Sequence, residues 1–106
     1  MKKKEAKALN ILDETPRGNW STKDAIKKLG EEVQELTWGV ARKDTKNIKE
    51  EIGDCALLLL KIMKDTLGED VSLDELAVIS AKKVRKRNLR NIQEHKLRTA
   101  RKRANR

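Results

Sequence analysis

Residues 28–60 read KLGEEVQELTWGVARKDTKNIKEEIGDCALLLL. One pattern appears in this stretch twice, as EEVQE at Glu31–Glu35 and as EEIGD at Glu50–Asp54. Apolar residues run through both blocks at steps of three and four. Ile26, Leu29, Val33, Leu36 and Val40 precede the connection RKDTKN, and Ile48, Ile52, Cys55, Leu59 and Ile62 follow it. That period marks one face of an α-helix. Two helices joined by a short polar connection are expected to pack antiparallel. Glu32 and Asp54 are equally far from residue 43, and so are Glu35 and Glu51. All four carboxylates therefore fall at one level of the hairpin, about 12 Å from the turn by helical rise. Each abuts an apolar position (Val33, Leu36, Ile52 or Cys55), which places the acids at the border of the apolar seam.

Local signals set the helix ends. Ser21 followed by Asp24 reads as an N-cap with an acid in the first turn, opening a helix from about Thr22 to Arg42. Asp44 caps the next, roughly Thr45 to Leu67, and Gly68 closes it. In "SLDE", Ser72 and Glu75 form a capping box for a further helix carrying Leu73, Leu76, Ala77, Ile79 and Val84. A first short helix is expected over residues 2–12, broken by Pro16 and Gly18. If the last helix ran from Ser72 to Arg103 it would be about 48 Å long. Its final 15 or so residues are expected to project, kink, pack on another subunit or fray.

The chain has 106 residues, 37% hydrophobic and 41% charged, with two Trp and no Phe or Tyr. It is long enough for one domain with a thin core of its own. Leu57, Leu58 and Leu60 add apolar surface off the main stripe, and a helix apolar nearly all round is buried nearly all round. The expected fold is all-α: an antiparallel hairpin within a four-helix bundle, completed by a partner subunit. Residues 1–90 read as one domain and residues 91–106 as a basic extension. The single Cys55 excludes an internal disulfide and suits a reducing cytoplasm. The run CALLLLKIM is interrupted by Lys61 and too short to span a bilayer, so no membrane role is expected.

Glu32 and Glu35 are neighbours on one helical face, as are Glu51 and Asp54, and like charges at that spacing repel. Four converging carboxylates call for a counter-charge. A hard divalent cation such as Mg²⁺ takes oxygen ligands and is commonly held by carboxylates together with substrate phosphates. No His or Cys stands at the spacing zinc requires. The Glu-x-x-His pattern of di-iron bundles is also missing. Either block alone would read as a solvated, salt-bridged face. The equal spacing of both about one turn favours a metal site.

KLGEEVQEL and KEEIGDCALLLL together resemble the MazG-like all-alpha nucleoside triphosphate pyrophosphohydrolases, over about residues 20–90. VSLDELAVISAKKVRKRNLR is similar to the last helix of that family. The resemblance implies hydrolysis of (d)NTPs between the α and β phosphates to a monophosphate and pyrophosphate. It implies Mg²⁺, with Mn²⁺ as a substitute, held by Glu32, Glu35, Glu51 and Asp54. Metal-bound hydroxide or a carboxylate of the cluster would then prepare the attacking water. Glu31 and Glu50 are expected either to be solvated or to support the ligands without touching the metal. Lys83 and Arg90 match the family's basic positions, and with Arg87 they are expected to bind the triphosphate. Arg87 stands where the family often has Asn, with Asn88 one place later. Trp20 is the candidate for stacking on a base, and Trp38 is expected in the core. The resemblance also implies homodimers, or homotetramers built as pairs of dimers.

The charge is uneven. Residues 1–80 hold 14 basic and 16 acidic residues, whereas residues 81–106 hold 12 basic residues and one acid, Glu94. That segment makes nucleic acid a candidate partner through phosphate contacts. It lacks the aromatic residues that stack on bases. The alternative to the enzyme is thus a helical nucleic-acid-binding protein acting through its basic C-terminal segment. A third reading is an inactive relative that keeps the metal site as a structural device.

Overall fold

The computed structural model describes residues 1–16 and 19–104. It contains α1 (Lys3–Asp13), α2 (Thr22–Ala41), α3 (Thr45–Leu67) and α4 (Leu73–Ala104). There is no strand among the described residues. The architecture is all-α, as expected from the periodicity. Gly18, expected to break the chain after the first helix, lies outside the described residues. The chain divides into two compact units, Met1–Leu73 and Asp74–Arg106.

In the first unit, α2 packs along α3 and α1 lies against α3. Capping sets the hairpin's ends. Ser21 Oγ accepts from the Asp24 N–H at 3.1 Å, and Asp44 Oδ1 from the Asn47 N–H at 3.2 Å. Each satisfies one of the orphan donors of a helix N-terminus. The turn falls on Lys43, which takes the left-handed conformation with φ 56°. The Asp44 N–H donates to the Gly39 carbonyl and the Lys43 N–H to the Val40 carbonyl, each at 3.1 Å. This pair of bonds is a Schellman closure, usually made with Gly where Lys43 stands. At the far end, Thr22 Oγ1 donates to Asp65 Oδ2 at 2.9 Å, joining the start of α2 to the end of α3. The hairpin is therefore antiparallel along its whole length. Gly68 closes α3 with φ 84° and ψ −165°, a region open essentially to glycine alone.

The core is small. Leu9 and Leu12 of α1, Ala25 of α2, and Leu58, Leu60 and Met63 of α3 are its buried apolar residues. Glu5 ties α1 into this unit, accepting from the Lys2 N–H at 2.8 Å and from the Leu73 N–H at 2.9 Å.

The faces of the hairpin differ from the sequence expectation. Leu29 and Leu36 turn partly inward, but Ile26, Val33 and Val40 are 54%, 49% and 55% exposed. Ile52 and Leu59 are likewise exposed on α3, and Trp38, expected in the core, is 52% exposed. The inner line of α2 runs through Ala25, Glu32 and Gly39 instead. Residues seven apart share a helical stripe. Ile26, Val33 and Val40 thus form one apolar stripe on α2, and Ile52 with Leu59 forms one on α3. Within the first unit, neither stripe is covered by the described residues.

In the second unit, α4 is helical from Leu73 through Ala104, with no break at the point where kinking or fraying was expected. Its first turn carries Asp74 and Glu75 and its last turn Arg101, Lys102 and Arg103, complementing the helix dipole at both ends.

Candidate functional site

The pairing that buries Ala25 and Gly39 also buries Glu32, which retains only 7% of its exposure. Glu32 therefore lies inside the α2–α3 seam rather than at its border. Across the seam α3 presents Glu51, half-buried, and Glu35 stands one turn along α2 with its side chain exposed. Carboxylate oxygens of Glu32, Glu35 and Glu51 all lie within 4.8 Å of one another. Three of the four acids placed at one level by the sequence are brought together in this way.

Two oxygens in this group, Glu32 Oε2 and Glu51 Oε2, are enclosed and have no hydrogen-bond partner. Both are acceptors, so enclosing them is favourable only with a proton or a cation at hand. The electrostatics agree. The Glu51 carboxyl is pushed up from 4.5 to about 7, first because its neutral form can share its proton with the Glu32 carboxylate. Desolvation adds to this, followed by the charges of Glu32 and Glu35 and a weaker hydrogen bond to Glu35. A carboxylic proton held near neutrality marks a place where positive charge is favoured. A divalent cation would satisfy both orphan oxygens at once, and an all-oxygen donor set suits a hard ion.

Asp54, the fourth expected ligand, stands outside the group of three. It is an exposed residue whose carboxyl is raised by desolvation, then by the charges of Glu32 and Glu50, with Lys28 opposing. With Glu32 it lines an adjacent cleft of about 160 Å³, whose other walls are Trp20, Lys28, Leu57 and Leu58. Trp20, the stacking candidate, is thus beside the acids and half-buried. Lys28 Nζ lies 3.6 Å from Glu32 Oε1. Sequence reading passed over Lys28, although its place four residues before Glu32 puts both on one helical face. Leu57 and Leu58 were read only as extra apolar surface. Cys55 is half-buried, and burial followed by the charges of Glu32, Glu51 and Asp54 pushes its thiol up. Glu31 and Glu50 are exposed, which fits the solvated reading.

Lys83, Arg87, Asn88 and Arg90 lie on α4 and are exposed. They belong to the second unit.

The model of the MazG nucleotide pyrophosphohydrolase domain matches residues 21–90. The chain belongs to the MazG family. The match opens on Ser21, the cap of α2, spans both acidic blocks and ends on Arg90 within α4. No curated protein and no solved structure matches the chain significantly. The MazG domain accounts for the hairpin and its three-glutamate cluster. It leaves out α1 and the continuation of α4 from residue 91 to Ala104. Among the described residues no helix is long and apolar enough to cross a membrane.

Proposed function

We propose that this MazG domain is a Mg²⁺-dependent pyrophosphohydrolase that cleaves nucleoside triphosphates between the α and β phosphates. One observation carries the reading. Within the family match, two helices bring three glutamates within 4.8 Å, with two enclosed oxygens lacking any partner.

Glu32, Glu35 and Glu51 would hold the cation, and Asp54, which lines the adjacent cleft, would hold it or a second ion. When bound, Mg²⁺ neutralises charge on the phosphate oxygens, and Mn²⁺ can replace it. Hydrolysis adds one water across the α–β anhydride. The new P–O bond forms as the bridging P–O bond breaks, leaving a monophosphate and pyrophosphate. A carboxylate of the cluster that the cation leaves free accepts the proton of that water. Trp20 gives a nucleobase an aromatic face at the rim of the cleft. Lys28 is the cation nearest the acids on α2 and is placed to meet a phosphate. Lys83, Arg87 and Arg90 remain proposed triphosphate-binding residues on the family resemblance alone. Nucleoside triphosphates as substrates place the reaction in the cytoplasm.

The working form is a homodimer or homotetramer. A cleft of about 160 Å³ is small for a nucleotide; sites for such ligands run to about 300–1,000 Å³. The exposed stripes through Ile26, Val33, Val40, Ile52 and Leu59 offer a second copy an apolar surface.

The test is a panel. The full chain is incubated with Mg²⁺ and each common NTP and dNTP, and products are separated by anion exchange. Monophosphate and pyrophosphate in equal amounts support the reading. No turnover on any nucleotide overturns it.

A further inference from the structure

The MazG match ends at residue 90, but α4 continues as unbroken helix to Ala104. Past residue 80 the chain holds 12 basic residues against the single acid Glu94. The basic side chains from Lys82 to Arg103 are exposed, and among the described residues no ion pair joins one of them to a carboxylate. A solvated helical face usually mixes both signs for i, i+4 pairing. This segment forgoes that pairing over six turns and concentrates one sign.

The arrangement of the cations identifies the polyanion. At about 100° per residue, the cations spread around most of the helix circumference instead of forming one stripe. The large apolar residues of the segment, Val84, Leu89, Ile92 and Leu97, are 54%, 52%, 49% and 62% exposed. Ile92 and Leu97 diverge by about 140° on the helix, with Lys96 on the arc between Ile92 and Leu89. A helix lying in a membrane surface needs a continuous apolar face, usually with aromatic anchors. Here there is no Phe, Tyr or Trp after Trp38. The same lack argues against single strands, which are held by stacking on aromatic side chains.

Duplex DNA fits the remaining features. Its major groove is wide enough to admit an α-helix, with phosphates on both walls. From Lys82 to Arg103 the helix spans about 33 Å, close to one helical turn of the duplex. The major groove of duplex RNA is too narrow and deep for such a helix. We propose that the basic part of α4, residues 82–103, is a duplex-DNA-binding element that contacts phosphates without reading sequence. It is a binding activity distinct from hydrolysis, and Lys83, Arg87 and Arg90, the proposed triphosphate-binding residues, fall within the same segment.

Fluorescence anisotropy with the full chain and a labelled 24-base-pair duplex, titrated at 50 to 200 mM salt, tests this. A protein making six to ten phosphate contacts loses about 10³–10⁵-fold in affinity over that range. The quadruple variant Arg98→Gln, Arg101→Gln, Lys102→Gln, Arg103→Gln lies beyond the family match and keeps good helix formers. It should flatten the log–log salt slope by about 3–4 and weaken binding more than 10-fold at 50 mM salt. The variant Arg98→Lys, Arg101→Lys, Arg103→Lys preserves charge and should keep the slope. Nucleotide turnover should be unchanged in both. Parallel arms use duplex RNA and phosphatidylserine-containing vesicles, and both should bind more weakly than duplex DNA. The proposal is overturned by any of four results: no duplex binding at 50 mM salt, an unaltered slope in the quadruple variant, tighter uptake by vesicles, or equal affinity for duplex RNA.

Discussion

Replacing Glu32 by Gln removes one charge from the seam while keeping the shape of the side chain. In wild type at pH 8, three carboxylates lie within 4.8 Å of one another. Two unit charges at that distance repel by about 3.5 kcal/mol at an effective dielectric constant of about 20. Glu35 is exposed, and solvent screening reduces this to about 1 kcal/mol. The substitution also breaks the Lys28–Glu32 contact of 3.6 Å, in which the Lys28 side chain is 43% exposed. An i, i+4 pair of that kind contributes about 0.3–0.5 kcal/mol. Repulsion wins, and the Gln amide can donate to the orphan Glu51 Oε2. The metal-free variant is therefore expected to be more stable than wild type by about 0.5–1 kcal/mol. For a chain of this size that raises Tm by about 3–5 °C. Added cation reverses the order. At about 100-fold excess over its Kd, Mg²⁺ stabilises wild type by about 2.7 kcal/mol. The variant should gain less than about a third of this and lose activity at least about 100-fold. Differential scanning fluorimetry at fixed protein concentration, with EDTA and then with Mg²⁺, reads both effects. A variant that melts below wild type in EDTA, or gains as much from Mg²⁺, would refute the reasoning.

Three other outcomes are expected. Glu51 holds its proton more tightly when folded, its carboxyl rising from 4.5 to about 7. Its contribution is therefore full below about pH 4.5 and lost as pH rises to about 7. In EDTA, wild type should lose Tm relative to Glu51→Gln across that window, and parallel curves would contradict the shared proton. Lys43→Gly relieves a left-handed residue at φ 56° and should raise stability by about 0.5–1 kcal/mol in urea melts. A loss of stability there would show that the Lys side chain matters more than the turn. Val33→Glu and Ile52→Glu place charge on exposed apolar stripes. If those stripes join copies, light scattering should show wild type at two or four chain masses and both variants at one. A monomeric wild type at tens of micromolar would remove the interface.

Much of the hairpin was legible in the sequence because its determinants are local. Ser21 and Asp44 each cap the helix they precede, and both helix starts fall where those residues place them. The antiparallel pairing followed from two helices and a short connection, and the Thr22–Asp65 bond confirms it. Which face turned inward was not legible. Hydrophobic period marks a helix stripe but does not say what covers it. Val33 therefore read as core and Glu32 as border, whereas the chain buries Glu32 and leaves Val33 exposed. Trp38 misled for the same reason. The turn on Lys43 could be located by symmetry, but its left-handed backbone could not, because glycine is the usual signal there. Spacing correctly gathered Glu32, Glu35 and Glu51. It could not separate Asp54 from them, because level along a helix ignores how far each side chain reaches. Lys28 was visible at i−4 from Glu32, but its place in the cleft emerged only with the fold.

The central claim is that the two acidic blocks form one cation site that cuts an α–β anhydride. Phosphorus NMR of a turned-over nucleoside triphosphate tests it most directly, with wild type and Glu32→Gln side by side in Mg²⁺. Monophosphate and pyrophosphate resonances should grow together, one to one, in wild type and stay near baseline in the variant. Growth of nucleoside diphosphate with orthophosphate, or equal rates in the two proteins, would contradict the account.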